Sequence, residues 1–235
     1  MSSAPAKPFD HLIFDLDDTL LDTSNLLIPR ASREACAAMI SSGLNADIEA
    51  CVRAWGEHGA LQSRRDLFSH LVERFGVNRE TDAERVAQLG YQAFYNRRVE
   101  SDISLFSGAH ELLSVLGRNY GLHLVTSGTR STQEEKIRIL KIEPLFDSIT
   151  HVDPTRGERK RDAFAAIQRK TDRPAERHLS VGNRIDTDVS EARELGWKAC
   201  WVRYGEYVAM TPTTEIEQPD YIIENITELA RKCQL

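Results

Sequence analysis

His11-Leu12-Ile13-Phe14-Asp15-Leu16-Asp17-Asp18-Thr19 is the stretch on which the reading of this 235-residue chain turns. Leu12, Ile13 and Phe14 form a short apolar run that reads as a buried strand, and the acids that follow stop it. Asp15, Asp17, Asp18 and Asp22 place four carboxylates within eight residues. A strand-ending turn or a helix cap needs one such residue, not four. The stretch is therefore a strand whose carboxyl end is loaded for chemistry.

Downstream the pattern turns helical. Leu27, Ala31, Ala35 and Met39 recur at fourfold spacing, and Leu67, Phe68, Leu71, Val72 and Phe75 form a second stripe closed by Gly76. Val86, Leu89, Ala93 and Phe94 form a third, with Thr81 as its expected N-cap. Residues 22–102 thus read as an inserted α-helical cap of about four helices. After Phe106-Ser107-Gly108, helices expected at 109–116, 129–140, 161–169 and 188–195 alternate with strands at 122–126, 148–152, 179–182 and 198–202. A last short strand at 221–223 precedes a C-terminal helix. This alternation predicts an α/β fold: a Rossmann-like parallel sheet, residues 1–21 and 103–235, covered on both faces.

Composition narrows the class. With 41% hydrophobic and 28% charged residues the chain can bury an ordinary globular core. A formal net charge of −6 argues against a dedicated nucleic-acid binder. Cys36, Cys51, Cys200 and Cys233 are scattered without metal-like spacing and read as free thiols. No segment approaches the ~20 apolar residues of a membrane span, and the first apolar cluster is too short for a signal peptide. The expected location is the cytoplasm, with no nucleic-acid or membrane partner.

In open parallel sheets ligands sit beyond the carboxyl ends of the strands. Here those ends carry Asp15 to Thr19, Thr126-Ser127-Gly128, the basic run Arg159-Lys160-Arg161, and Gly182-Asn183 through Asp188. That distribution suits an anion held against a divalent cation. Asp15 and Asp17 are two apart on extended backbone, so both side chains point to one side. Carboxylates that close raise each other's pKa unless a cation compensates, and Mg²⁺, with its preference for oxygen ligands and a substrate phosphate, is the natural choice. One carboxylate can then attack phosphorus while the other moves the proton.

Asp15-Leu16-Asp17-Asp18-Thr19-Leu20 resembles the first motif, DxDxT, of the haloacid dehalogenase-like hydrolase superfamily. Leu122 to Gly128 resembles its second motif, an apolar strand ending in Thr or Ser, and Val181-Gly182-Asn183 through Asp188 its fourth, GDxxxxD. The motifs stand in the family's order, with the helical insert where the family carries its cap. The resemblance implies a phosphatase that uses Mg²⁺ on a small phosphorylated metabolite. Asp15 would be nucleophile and metal ligand, and Asp17 the general acid/base with its backbone carbonyl on the metal. Thr126 and the amides at Ser127 and Gly128 would bind the phosphoryl group. Lys160, which stands at a helix start while Lys170 lies at its far end, would be the third-motif lysine. Arg161 occupies the place of the family's frequent proline.

The main departure is Asn183, where the family usually has an aspartate. A carboxamide oxygen ligates Mg²⁺ without adding charge, so weaker metal binding is expected, with Asp186 or Asp188 sharing the load. Asp188 fits the motif's second acid, and Arg184 is either solvated or directed to a phosphate. Within the cap, Trp55, His58, Arg64, Arg65, Tyr91, Tyr95, Arg97 and Arg98 are candidates to face substrate, with packing as the ordinary role of the aromatics. A dehalogenase would lack the second acid, so Asp17 speaks against that variant. A phosphomutase, or a non-catalytic phosphate-binding protein suggested by Asn183, would keep the same motifs.

Overall fold

The computed structural model describes residues 7–57, 64–95, 99 and 102–235, without the side chains at 64, 65 and 155. They fall into two compact units, Met1–Thr23 with Glu100–Leu235, and Ser24–Val99. After β1 (His11–Phe14) come α1 (Thr23–Leu26), α2 (Ile28–Ser41), α3 (Ile48–Glu57), α4 (Arg64–Phe75) and α5 (Ala83–Tyr95). Next are α6 (Ala109–Leu116), β2 (Gly121–Ser127), α7 (Arg130–Leu140), β3 (Ser148–Val152) and α8 (Lys160–Thr171). The chain ends with β4 (His178–Gly182), α9 (Ser190–Arg193), β5 (Lys198–Val202), β6 (Tyr221–Ile223) and α10 (Leu229–Lys232). No helix among the described residues is long and apolar enough to cross a membrane.

The strands pair in parallel in the order β3-β2-β1-β4-β5-β6. All of β4 and the middle five residues of β2 are buried, as strands covered on both faces must be. The chain first builds outward from β1 to β3, then restarts on the other side of β1 with β4. That reversal leaves a crevice beyond the carboxyl ends of β1 and β4.

One sheet face carries Ile13, Val125 and Val152, packed against Phe164 and Ile167 of α8 and against Trp197. At the amino ends of the strands this face becomes polar. His11 lies opposite His178, and His123 opposite Ile13, so three imidazoles line up across β2, β1 and β4. His11 Nδ1 is 3.1 Å from His123 Nε2, and His123 Nδ1 is 2.7 Å from Ser148 Oγ. His178 meets Thr171 Oγ1 at 2.9 Å and stacks on Trp197. Gly121 makes the row possible, because a Cβ there would stand 2.3 Å from His11 Nδ1.

In the helical unit Ala35, Met39, Trp55, Phe68, Leu71 and Val86 share a core. Gly90 lets α5 come close, since its Cβ would lie 2.6 Å from the Met39 side chain. The cap of α5 is Asp82, not Thr81: the helix starts at 83, and Asp82 Oδ1 accepts from the amides of Glu84 and Arg85 at 3.0 and 3.3 Å. The helix expected at 188–195 is likewise corrected to a π-turn, Ile185–Val189, leading into the short α9. Its wider spacing follows from Arg184 O accepting from Val189 N at 3.2 Å as well as from Asp188 N at 2.9 Å. The four cysteines are buried thiols that meet in two pairs, Cys36 with Cys51 and Cys200 with Cys233.

Candidate active site

β1 hands the chain directly to its acids. The Asp15 amide still donates to Val181 O at 2.9 Å, extending the ladder by one residue. A tight turn follows, in which Leu16 O accepts from Leu20 N and Leu21 N at 2.9 and 3.1 Å. Asp18 takes the left-handed conformation there (φ 53°), which aspartate tolerates better than most residues.

Asp15, Lys160 and Asp188 meet behind this turn, all buried. Lys160 Nζ donates to Asp15 Oδ1 and to Asp188 Oδ1, each at 2.6 Å. Two carboxylates thus share one ammonium, so with both ionised one negative charge out of water has no positive partner. Burial pushes the Asp15 carboxyl up to about 7. The Lys160 ammonium opposes this, and the charges of Asp188 and Asp17 add to it. Burial alone would lower Lys160, but its two carboxylate partners raise it above the usual lysine range.

Each member is fixed by its own element. Lys160 is the first residue of α8, and that helix start is held by Glu191, whose Oε2 accepts from Arg161 N at 2.6 Å and whose Oε1 accepts from Arg159 Nε at 3.1 Å. Asp188 Oδ2 accepts from Arg184 N at 3.0 Å, and Ser180 Oγ donates to its carbonyl at 2.8 Å. Both Asp188 oxygens are therefore engaged by protein donors. Gly182 must be glycine here, because a Cβ would come within 2.2 Å of the Asp188 carboxylate. Buried Asn183 accepts through its carbonyl from Trp201 Nε1 at 2.9 Å and turns Nδ2 toward Tyr204 O at 3.5 Å.

Asp17 is taken up by a different cation. Lys136 Nζ lies 2.6 and 2.8 Å from its two oxygens, Gln133 Nε2 donates to Oδ2 at 2.8 Å, and Thr23 Oγ1 donates to Oδ1. Burial would raise Asp17, yet Lys136, Thr23 and Gln133 outweigh it and hold the carboxyl below its ordinary value. Gln133 Nε2 also lies 2.6 Å from Thr126 Oγ1 and 3.0 Å from Ser127 O, so its two hydrogens are shared among three acceptors. The Gly128 amide donates to Val152 O at 2.9 Å, so that amide is already engaged. Arg184 turns from the strand ends to pair with Asp186 at 3.0 Å and to lie over the Tyr207 ring.

Gln133, Lys136 and Glu191 carry no motif, and their roles were not anticipated from the sequence. The available signal was periodicity: the stripe that buries Ile137 on α7 also runs through Gln133 and Lys136, both nearly solvent-free. Of the cap candidates, Trp55 packs on Phe68 and Phe94, and Tyr91 against Tyr95. His58, Arg97 and Arg98, with the side chains of Arg64 and Arg65, lie outside the described residues.

A family model described as haloacid dehalogenase-like hydrolase matches residues 12–202. Among curated proteins, a glyceraldehyde 3-phosphate phosphatase of Methanocaldococcus jannaschii is 29% identical over 225 residues, covering 93% of this chain and 94% of its own. An Escherichia coli phosphatase of 5-amino-6-(5-phospho-D-ribitylamino)uracil is 25% identical over 213 residues, covering 85% of each. Among solved structures, the hydrolase YfnB of Bacillus subtilis, determined bound to magnesium, superposes with a TM-score of 0.65 at 24% identity over 96% of this chain and 98% of its own.

Proposed function

We propose, because this chain belongs to the haloacid dehalogenase-like hydrolase family, that it hydrolyses a small phosphomonoester through a phosphorylated Asp15. The observation that carries this reading is the buried Asp15–Lys160–Asp188 cluster, with its excess negative charge, at the point where the strand order reverses. Asp15 must share its positive partner with Asp188, which leaves its carboxylate suited to an electrophile.

The donor set fits magnesium. Among the described residues no group of three or more His, Cys, Asp and Glu side chains could hold a metal ion by itself. The oxygens on offer are mixed: the Asp15 carboxylate, the Asp17 main-chain carbonyl and the Asn183 carboxamide, with Asp188 acting through Lys160 and the 184 amide. Hard oxygen donors with room for water are what Mg²⁺ takes. When bound, the ion supplies the charge that lets an anionic substrate approach the carboxylates. The magnesium bound to YfnB and the phosphatase names of the relatives support the same reading.

An Asp15 oxygen attacks phosphorus as the ester P–O bond breaks, and Asp17, which must first take up a proton from solvent against the pull of Lys136, gives that proton to the leaving oxygen. Water then attacks the aspartyl phosphate, Asp17 recovers a proton from it, and Asp15 is released with inorganic phosphate. Lys160 and the Thr126 hydroxyl offset the phosphoryl charge throughout. Phosphate release from a panel of small phosphomonoesters, glyceraldehyde 3-phosphate included, tests this in Mg²⁺ and in EDTA. Turnover that needs Mg²⁺ and falls at least about a thousandfold in Asp15→Asn is expected. No release from any ester at any Mg²⁺ concentration, or an undiminished Asp15→Asn enzyme, would sink it.

A further inference from the structure

The helix after the second motif holds the proton-transfer carboxylate and the phosphate-facing hydroxyl with two neighbouring side chains. Gln133 and Lys136 stand one turn apart on α7, and both are almost wholly buried. A buried lysine is costly unless its partner is fixed, and this one spans both oxygens of Asp17 at 2.6 and 2.8 Å. Gln133 reaches Asp17 Oδ2 at 2.8 Å and Thr126 Oγ1 at 2.6 Å with the same nitrogen. Because that nitrogen can only donate, Thr126 accepts, and its own proton stays available for an oxygen of the substrate.

We infer that Lys136 and Gln133 are positioning residues for the first chemical step: Lys136 seats the Asp17 carboxyl where a leaving oxygen must be met, and Gln133 ties that seat to the Thr126 hydroxyl. The inference rests on the phosphatase reading above and adds to it two residues outside the motifs. Displacing a catalytic group by about an ångström is enough to cost two orders of magnitude, so such a brace is worth the burial of a charge.

A purely structural role is separable by the leaving group. A p-nitrophenolate departs without a proton, whereas the alkoxide of glycerol phosphate needs one from Asp17. kcat/KM reports the steps up to release of that group, so it isolates the proton delivery. Lys136→Met is expected to lower kcat/KM at least about a hundredfold on glycerol phosphate and less than about tenfold on p-nitrophenyl phosphate. Gln133→Met should shift the ratio the same way, and Lys136→Arg should restore part of it. Thermal melting of each variant identifies any that does not fold, and the ratio is then read from the others. Equal losses on both substrates in the folded variants would overturn the inference while leaving the phosphatase reading intact. Wild-type protein inactive on both esters would overturn the two together.

Discussion

At the carboxyl ends of β1 and β4 the protein buries two carboxylates against one ammonium, while toward the amino ends of β2, β1 and β4 it packs three imidazoles in a row, His123 and His178 buried and His11 half-buried. Both ends place titratable groups out of water, and they settle the cost differently. The amino end does so by neutrality: burial lowers all three histidines, His123 to about 4, and a neutral ring can serve as both donor and acceptor. The carboxyl end keeps an ion pair, and once Asp15 gives up the proton that burial holds to about pH 7 it carries one unbalanced negative charge. An end that is complete in itself belongs to the scaffold, whereas an end that lacks a counter-charge is where a ligand is wanted.

The largest test of that contrast is Lys160→Met. Removing the ammonium shared by two buried carboxylates is expected to destabilise the fold by about 3–5 kcal/mol in urea titrations at neutral pH, and Asp188→Asn in the same chain should recover part of it. A loss below about 1 kcal/mol would mean that the carboxyl end tolerates bare carboxylates and that the two ends do not differ in kind.

Acid probes the other end. The unfolded chain binds protons on its histidines below about 6.5, while the folded chain refuses them until about 4 at His123. Stability carried by the neutral His123 ring is therefore fully present above 6.5 and is lost as pH falls toward 4, by roughly 3 kcal/mol. His123→Gln should flatten that part of the melting-temperature profile. If the slope between pH 6.5 and 4 is unchanged in that variant, the row is not what titrates.

The glycines sharpen the comparison further. A Cβ at Gly182 would strike the Asp188 carboxylate at 2.2 Å, and one at Gly121 would strike His11 at 2.3 Å. Either alanine should cost roughly 1–2 kcal/mol by overpacking, but only Gly182→Ala should also slow turnover. The smallest effect is expected from Asn183→Asp, which returns a charge to the donor set. About a tenfold fall in the Mg²⁺ concentration for half-maximal phosphate release would match a gain of about 1.4 kcal/mol in binding, and no change would place Asn183 outside the metal's reach.

Much of this was legible from the sequence where the signal is local. The strands at 148–152, 198–202 and 221–223 have the limits that alternation predicts, and α8 starts only one residue earlier than periodicity suggests, with Lys160 itself. Asp15, Lys160 and Asp188 meet as the strand-end argument requires, because parallel topology brings all such ends to one edge. The illegible parts are those set by register and side-chain reach. His11, His123 and His178 become neighbours only once three strands align. Lys136 reads as a solvated helix charge until the position of Asp17 is known. Residue 82 takes the cap in place of Thr81 because both can cap, and pattern alone does not say where a helix begins.

Helix α8 touches both ends of the sheet, with Lys160 at its first residue on Asp15 and Thr171 at its last on His178. Its 12 residues span about 18 Å at the usual rise of ~1.5 Å per residue, close to the roughly 16 Å of a five-residue strand. The helix is thus a spacer cut to the height of the layer it covers. Adding or deleting one residue would rotate everything beyond it by about 100°, so either the ammonium or the threonine would miss its mark. The flanking loops can drift in length during divergence, whereas this segment can change its letters but not their number.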